Sequence, residues 1–326
     1  MRDPFGRSID YLRLSITDRC NLRCGYCMPE EGVSALTHGD ILSYEELLRV
    51  ARASVALGIR KIRITGGEPL VRRGVVDFIA QLAALPDAPE IVLTTNGLLL
   101  AELAAPLRAA GLQRVNVSLD TLQPERFSAL TRRDALPQVF AGLAAAEAAG
   151  LGPLKINVIP LKGVNDDELL DFARLTLTHP WEVRFIEFMP ISSDLEYGSD
   201  ARVPMKEVER QLGSLGPLED VPRREAAGPA RIVRLPGARG TLGLIPSVSG
   251  HFCPECNRLR VTADGRVRGC LFGNQEIDLK AVLRDGDDDA ALMALLCAAV
   301  GAKPERHTIG SPQFKPPNRR MHGIGG

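Results

Sequence analysis

The stretch Tyr11-Leu12-Arg13-Leu14-Ser15-Ile16-Thr17-Asp18-Arg19-Cys20-Asn21-Leu22-Arg23-Cys24-Gly25-Tyr26-Cys27 organises the chain: a β-strand pattern, then three thiols within eight residues. From Asp10 to about Pro190 the same kind of run recurs. Short β-branched or Leu-rich segments alternate with longer Ala/Leu-rich segments of helical period, the signature of repeated β–α units. The expected strands are Tyr11–Ile16, Lys61–Thr65, Ile91–Thr95, Arg114–Leu119, Lys155–Ile159 and Glu182–Phe188. Six β–α units are fewer than a closed barrel needs.

Local signals set the helix boundaries. Ser43-Tyr44-Glu45-Glu46 has the form of a capping box, so a helix is expected from there to about Leu57, where Gly58 ends it. Asn165-Asp166-Asp167-Glu168 is expected to open the helix that precedes Trp181, and Pro106 to kink or divide the helix near Glu102–Ala110. After Pro190 the pattern changes to a polar stretch, a short helix near Met205–Leu212 and a segment rich in Pro, Arg and Gly from Gly216 to Gly240. The boundary placed there gives domains 1–190 and 191–326. Short strands are expected at Arg258–Thr262 and Arg266–Arg268, a helix near Ala290–Val300, and an extended tail from Gly310.

Composition narrows the class. The 326 residues suffice for a large core, and 40 basic side chains balance 40 acidic ones, which gives no electrostatic footprint for nucleic acid or a membrane surface. Residues 1–30 lack a secretory pattern and no apolar run is long enough to span a bilayer, so a cytoplasmic location is expected. In a reducing compartment, cysteines at short spacing serve metal or redox chemistry, and six of the seven cysteines are so grouped. Cys297, in the Ala/Leu helix, reads as a small buried hydrophobe.

Thiolates hold [4Fe–4S] clusters, and Cys20, Cys24 and Cys27 supply only three ligands, leaving one iron open for chemistry. A structural zinc site would want a fourth ligand, for which His38 is the nearest histidine. Cys253-Pro254-Glu255-Cys256 with Cys270 is a second three-thiol set, which His251 would complete as a zinc site. Asn257-Arg258-Leu259-Arg260-Val261-Thr262 follows at once. In a strand, Arg258 and Arg260 project to one face and make a fork for phosphate, or else a solvated face.

Cys-x-x-x-Cys-x-x-Cys with Tyr26 before the last thiol resembles the radical S-adenosylmethionine (SAM) superfamily, and Thr65-Gly66-Gly67-Glu68-Pro69 is similar to its glycine-rich segment. The run from Gly250 to Gly265, with Cys270 and the terminal Gly325-Gly326, resembles the GTP 3′,8-cyclase family of molybdenum cofactor biosynthesis. Further likeness lies at Lys61–Pro69, at Leu93-Thr94-Thr95-Asn96-Gly97, at Val117-Ser118-Leu119-Asp120 and at Arg184–Pro190. Ile191-Ser192-Ser193-Asp194 departs from it, standing where a glycine-containing turn is expected.

The resemblance implies an α/β fold, an incomplete, laterally open (βα)6 TIM-type barrel with a C-terminal domain carrying a second cluster. It implies a lyase that uses two [4Fe–4S] clusters and SAM, whose 5′-deoxyadenosyl radical takes the ribose C3′ hydrogen of GTP before attack on guanine C8. Tyr26, Gly67, Ser118 and Met189 are then SAM contacts. Arg13, Arg63, Thr94, Lys155, Arg258 and Arg260 are GTP contacts, although Arg13, Arg63 and Lys155 also read as strand residues paired with acidic neighbours. Arg184 is implied as an assistant in the final reduction, or read as a barrel-lining salt bridge, and Gly325 and Gly326 as a tail reaching the active site. Implied partners are a second copy in a homodimer, cyclic pyranopterin monophosphate synthase downstream, and an electron donor such as flavodoxin or ferredoxin. Two rival readings stand beside this one: a radical SAM enzyme acting on a peptide, and a zinc module binding nucleic acid.

Overall fold

The computed structural model describes residues 1–34, 36–191, 196–222, 228–286, 288–312 and 314–325. Ser192, Ser193 and Asp194 of the departing segment, and Gly326, lie outside the described residues.

The first half alternates strand and helix: β1 (Tyr11–Ser15), α1 (Tyr44–Ala56), β2 (Lys61–Thr65), α2 (Val75–Ala83), β3 (Glu90–Thr95), α3 (Leu100–Ala109), β4 (Arg114–Ser118), α4 (Pro124–Thr131), α5 (Leu136–Ala148), β5 (Lys155–Val158), α6 (Leu169–Thr178) and β6 (Glu182–Ile186). The second half continues with α7 (Met205–Leu212), β7 (Glu219–Asp220), β8 (Arg231–Arg234), β9 (Thr241–Ile245), β10 (Arg258–Val261), β11 (Arg266–Arg268), β12 (Ile277–Asp278), α8 (Lys280–Arg284), α9 (Asp289–Gly301) and α10 (Met321–Ile324). The six expected strands all form, each ending within two residues of its expected limits.

All twelve strands join one sheet in the order β12-β11-β10-β1-β2-β3-β4-β5-β6-β9-β8-β7. The run from β10 to β9 is parallel throughout, so the six β–α strands gain one parallel neighbour at each side from the second half of the chain. Antiparallel hairpins finish both edges, which do not meet. This is the laterally open barrel that the sequence leads one to expect, and the incomplete closure leaves a mouth between the halves.

Period-two alternation sorts the side chains. Leu12, Leu14, Ile62, Ile64, Leu93, Val115, Val117, Ile156, Val183 and Phe185 join the helices' apolar faces in one continuous core. Their alternates Arg13, Arg63, Thr94, Asn116, Lys155 and Arg184 face a central cavity. The outer helices therefore cover one face of the sheet, and the other is free to carry charge.

α1 begins where the capping box places it. The Ser43 hydroxyl accepts from the Glu46 N–H at 3.2 Å, and the Ser43 N–H donates to the Glu46 carboxylate at 2.6 Å. Four expectations are corrected. α3 runs unbroken through Pro106, because Pro106 and Glu102, whose carbonyl loses its partner, are both exposed and water can satisfy it. α6 starts at Leu169, since the Asn165 amide instead ties the preceding loop, donating to the Asp120 and Ile159 carbonyls at 2.6 and 3.0 Å. Cys297 is exposed, because α9 buries Leu292, Leu296, Ala299 and Val300 on another face. The chain beyond Gly310 is not wholly extended: it ends in the helical turn α10.

Ser43→Ala removes the reciprocal cap and is expected to lower unfolding stability by about 1 kcal/mol, read as a lower urea midpoint with unchanged slope.

Candidate active site

A cavity of about 960 Å³ runs along the parallel strands, from their C-terminal ends, where Cys20, Cys24 and Cys27 follow β1, to their N-terminal ends, where Cys256 precedes β10, and all six clustered cysteines line it. Two sets of thiols some 230 residues apart in sequence thus share one chamber.

The first set sits on the loop after β1. Gly66 and Gly67, after β2, pack directly on that loop: a Cβ on Gly67 would stand 2.4 Å from the Arg19 carbonyl oxygen, and one on Gly66 2.7 Å from that of Thr17. The Gly67 and Glu68 N–H groups donate to the Thr17 and Arg19 carbonyls, both at 2.8 Å. The Glu68 carboxylate is fully buried and accepts from Leu70 N, Thr95 Oγ1 and Asn96 N, while burial pushes its pKa up to about 7. Asn96 in turn donates to Asn21 Oδ1 at 2.7 Å and approaches the Cys20 sulfur at 3.9 Å.

Burial raises the Cys20 thiol, raises Cys24 well above the ordinary range, and pushes Cys27 up to about 12. Clustered thiolates of this kind require a multivalent cation, and three such donors beside open space fit an iron–sulfur cluster. His38 is exposed on a separate groove with Tyr44 and Arg72, so the zinc alternative loses its fourth ligand. Tyr26 Oη donates to Asp120 Oδ2 at 2.5 Å, and burial lifts the Asp120 carboxyl to about 6. Gly67, Ser118 and Met189 line the same chamber.

The second set is carried by the turn Cys253–Glu255 and by the loop after β11. Burial raises Cys253, but at Cys256 the burial effect is outweighed by the charges of Arg258 and Lys303, which bring it down to about 7. Sequence reading identified His251; the structure adds His307. The ring nitrogens of the two histidines lie 3.3 Å apart, and with the Cys253 sulfur they form a group of ligand atoms within 4.8 Å of one another. No local motif marks His307, which reaches the site only through tertiary folding.

The cations lie between the two sets. Parallel pairing puts Arg260, Arg13 and Arg63 opposite one another on β10, β1 and β2. Arg63 donates to the Tyr11 phenol oxygen and to Thr94 Oγ1, the latter at 3.1 Å. Burial, then mutual repulsion, pulls Arg260 far below its ordinary value, and burial brings Arg13 down to about 10. Tyr11, which burial alone would raise, is lowered to about 7 by Arg63 and Arg13. The concentration of positive charge is a receptor for a polyanion. Arg258 stands one inward position away on β10, stacked on Phe252 at 4.6 Å.

Lys155 and Arg184 pair with one carboxylate, Glu182, the former at 2.8 Å. The acidic partner expected for a strand residue is therefore found for Lys155, whose pKa burial and Arg184 lower to about 7, and Arg184 has the barrel-lining ion pair. Among the described residues Arg63 has no acidic partner in an ion pair; its guanidinium is held by Tyr11 and Thr94 instead. Gly243 on β9 lies opposite Arg184, and a Cβ there would stand 2.9 Å from Arg184 Cγ, so the glycine makes room for the stem of the arginine side chain.

The tail completes the chamber. Arg319 forms a fork to Asp264 at 3.1 and 2.8 Å and pairs with Glu276, which anchors α10. The Gly325 carbonyl then accepts from both Arg13 and Arg260 at 3.3 Å. Gly325 has φ +81°, and a Cβ would meet Ser15 Cβ and Thr65 Oγ1 at 2.8 Å.

Comparison with known proteins agrees with this architecture. The Radical SAM superfamily profile matches residues 14–176, and the Molybdenum Cofactor Synthesis C profile matches 181–309. A GTP 3′,8-cyclase of Geobacter sulfurreducens is 53% identical over 99% of this chain and 99% of its own, and one of Moorella thermoacetica is 49% identical over the whole of both. Among solved structures, Streptococcus suis SuiB bound to S-adenosylmethionine is similar with a TM-score of 0.62 and 12% identity, covering 87% of this chain, which spans 65% of SuiB's length; that likeness is one of fold. With near-complete overlap at half identity, and both cysteine triads facing one cation-lined chamber, the chain belongs to the GTP 3′,8-cyclase family of the radical SAM superfamily.

Proposed function

We propose that this chain is a radical SAM lyase of molybdenum cofactor biosynthesis that converts GTP to (8S)-3′,8-cyclo-7,8-dihydroguanosine 5′-triphosphate. The observation that carries this reading is the single chamber lined by both cysteine triads with Arg260, Arg13 and Arg63 abreast between them. Cys20, Cys24 and Cys27 would hold one [4Fe–4S] cluster, and Cys253, Cys256 and Cys270 a second. With SAM bound, the first would supply the 5′-deoxyadenosyl radical chemistry, hydrogen abstraction at the ribose C3′ that would lead to closure onto guanine C8.

The protein's own work is positioning. Arg260, Arg13, Arg63 and Arg258 receive the triphosphate, with Arg63 aimed by Thr94 and Tyr11. Lys155, held by Glu182, extends that cationic wall toward β5. Tyr26, Gly67, Ser118 and Met189 contact SAM, with the Tyr26 ring fixed through Asp120. Arg184, steered by Glu182 into the space above Gly243, assists the closing reduction at guanine. Gly325 seals the chamber beside the two arginines that its carbonyl bridges, and Gly326 follows it. The reading extends to a homodimer, to electron supply by a flavodoxin or ferredoxin, and to a cytoplasmic product handed to cyclic pyranopterin monophosphate synthase. Among the described residues no helix is long and apolar enough to cross a membrane.

Anaerobically reconstituted protein is expected to contain about eight irons per chain and, given SAM, dithionite and GTP, to yield the cyclised dihydro-GTP. Tightly bound zinc, or SAM cleavage without a GTP-derived product, contradicts the assignment. Arg260→Ala is expected to raise the KM for GTP roughly 10- to 100-fold, the worth of a charge-assisted hydrogen bond, at unchanged iron content. Deleting Gly325 and Gly326, or the clash introduced by Gly325→Ala, is expected to abolish cyclisation and leave uncoupled SAM cleavage measurable as 5′-deoxyadenosine; full cyclase activity in the truncated chain excludes the tail's role.

A further inference from the structure

Lys303 is 4% exposed and is not part of the cavity lining, so it does not face a substrate. It lies just past the C-terminal end of α9, where helix carbonyls favour a cation. Its ammonium nitrogen donates to the Arg258 carbonyl at 2.7 Å and the Gly269 carbonyl at 2.6 Å, and approaches the Cys256 sulfur at 3.9 Å. Those carbonyls belong to the segments that carry Cys256 and Cys270. Gly269 allows the approach: a Cβ there would stand 2.7 Å from Lys303 Cγ. Three donors thus meet two loops and one thiol.

The surroundings of the second triad are cationic in general. Arg258 also approaches the Cys256 sulfur at 3.9 Å, and buried Arg7, paired with Asp3, donates to the Cys253 carbonyl at 2.9 Å. The first triad differs. Cys20 takes its polar contacts from the Leu22 N–H and the Asn96 amide, both neutral, and Arg23 directs its guanidinium to the Cys20 and Leu22 carbonyls instead of a sulfur.

We infer that Lys303 is a positioning residue of the second triad, whose buried ammonium ties the Cys256 and Cys270 loops together and raises the reduction potential of a cluster held there. This rests on the proposal that the second triad holds a [4Fe–4S] cluster. Reduction adds negative charge to such a cluster, and a fixed positive charge beside one of its sulfurs, screened from water, stabilises the reduced form. Lys303 acts through the cluster's ligands and touches neither GTP nor SAM.

The test is an EPR-monitored redox titration of the full chain in two backgrounds, one with Cys20, Cys24 and Cys27 all replaced by Ala and one with Cys253, Cys256 and Cys270 all replaced by Ala, so that each cluster is read alone. Lys303→Met keeps the length and removes the charge; Lys303→Arg keeps the charge. In Lys303→Met the second cluster's midpoint is expected to move to more negative potential and the first cluster's to stay, with Lys303→Arg restoring most of the shift. Loss of second-site iron in Lys303→Met alone, with Lys303→Arg fully loaded, also supports the role, because charge then decides retention. An unchanged or raised second midpoint, an equal shift of both clusters, or equal loss of second-site iron in both variants overturns it. If the chain with native Lys303 carries no iron at the second triad, the underlying proposal fails instead, and iron analysis separates the two failures.

Discussion

Arg260, Arg13 and Arg63 are held side by side on adjoining parallel strands, about 4.8 Å apart in the pairing direction. Like charges at that spacing repel, and burial removes the water that would screen them. The fold tolerates the row because strand pairing fixes the backbones whatever the side chains prefer. Local acceptors, namely the Tyr11 phenol, Thr94 and the Gly325 carbonyl, take part of the hydrogen-bonding capacity. The remaining positive potential points into the chamber, where a triphosphate is its natural counterpart. Much else follows from keeping this row intact: β10 must pair with β1, and the tail must return to meet the arginines.

The two cysteine triads differ in which effect prevails, burial or neighbouring charge. At the first, burial outweighs the nearby Arg23 and Arg320, so its thiols are pushed up, and only a bound metal centre offsets three thiolates there. The second is ringed by Lys303, Arg258 and Arg7, and its Cys256 is already brought down to about 7. The glycine-rich turn after β2 matters to the first site as a mechanical support, since Gly66 and Gly67 fit against the backbone leading to Cys20. Glu182 plays a comparable part across the chamber, where one carboxylate orients both Lys155 and Arg184.

The elements missed or misread share a cause. β9 went unseen because Gly243 interrupts its apolar run within a Pro- and Gly-rich region, yet that glycine is what admits Arg184 beside it. Pro106 was expected to break α3 from its chemistry alone; its exposure makes it harmless. Residue type alone makes Cys297 a buried residue, and the packing of α9 turns it outward. His307 and Lys303 carry no local pattern and lie more than thirty residues beyond Cys270, so nothing in the nearby sequence links them to that site.

The sequence by itself determined the six β–α strands, the capped start of α1, the two sets of three thiols and the fork of Arg258 and Arg260. These are legible because they depend on period, spacing and residue chemistry within a few positions. Only the tertiary structure decided that the two sets share a chamber, that Arg260 comes level with Arg13 and Arg63, and that Gly325 bridges two of those arginines. Register between distant strands is fixed by the packing of a whole apolar face, and no local stretch of chain contains that information.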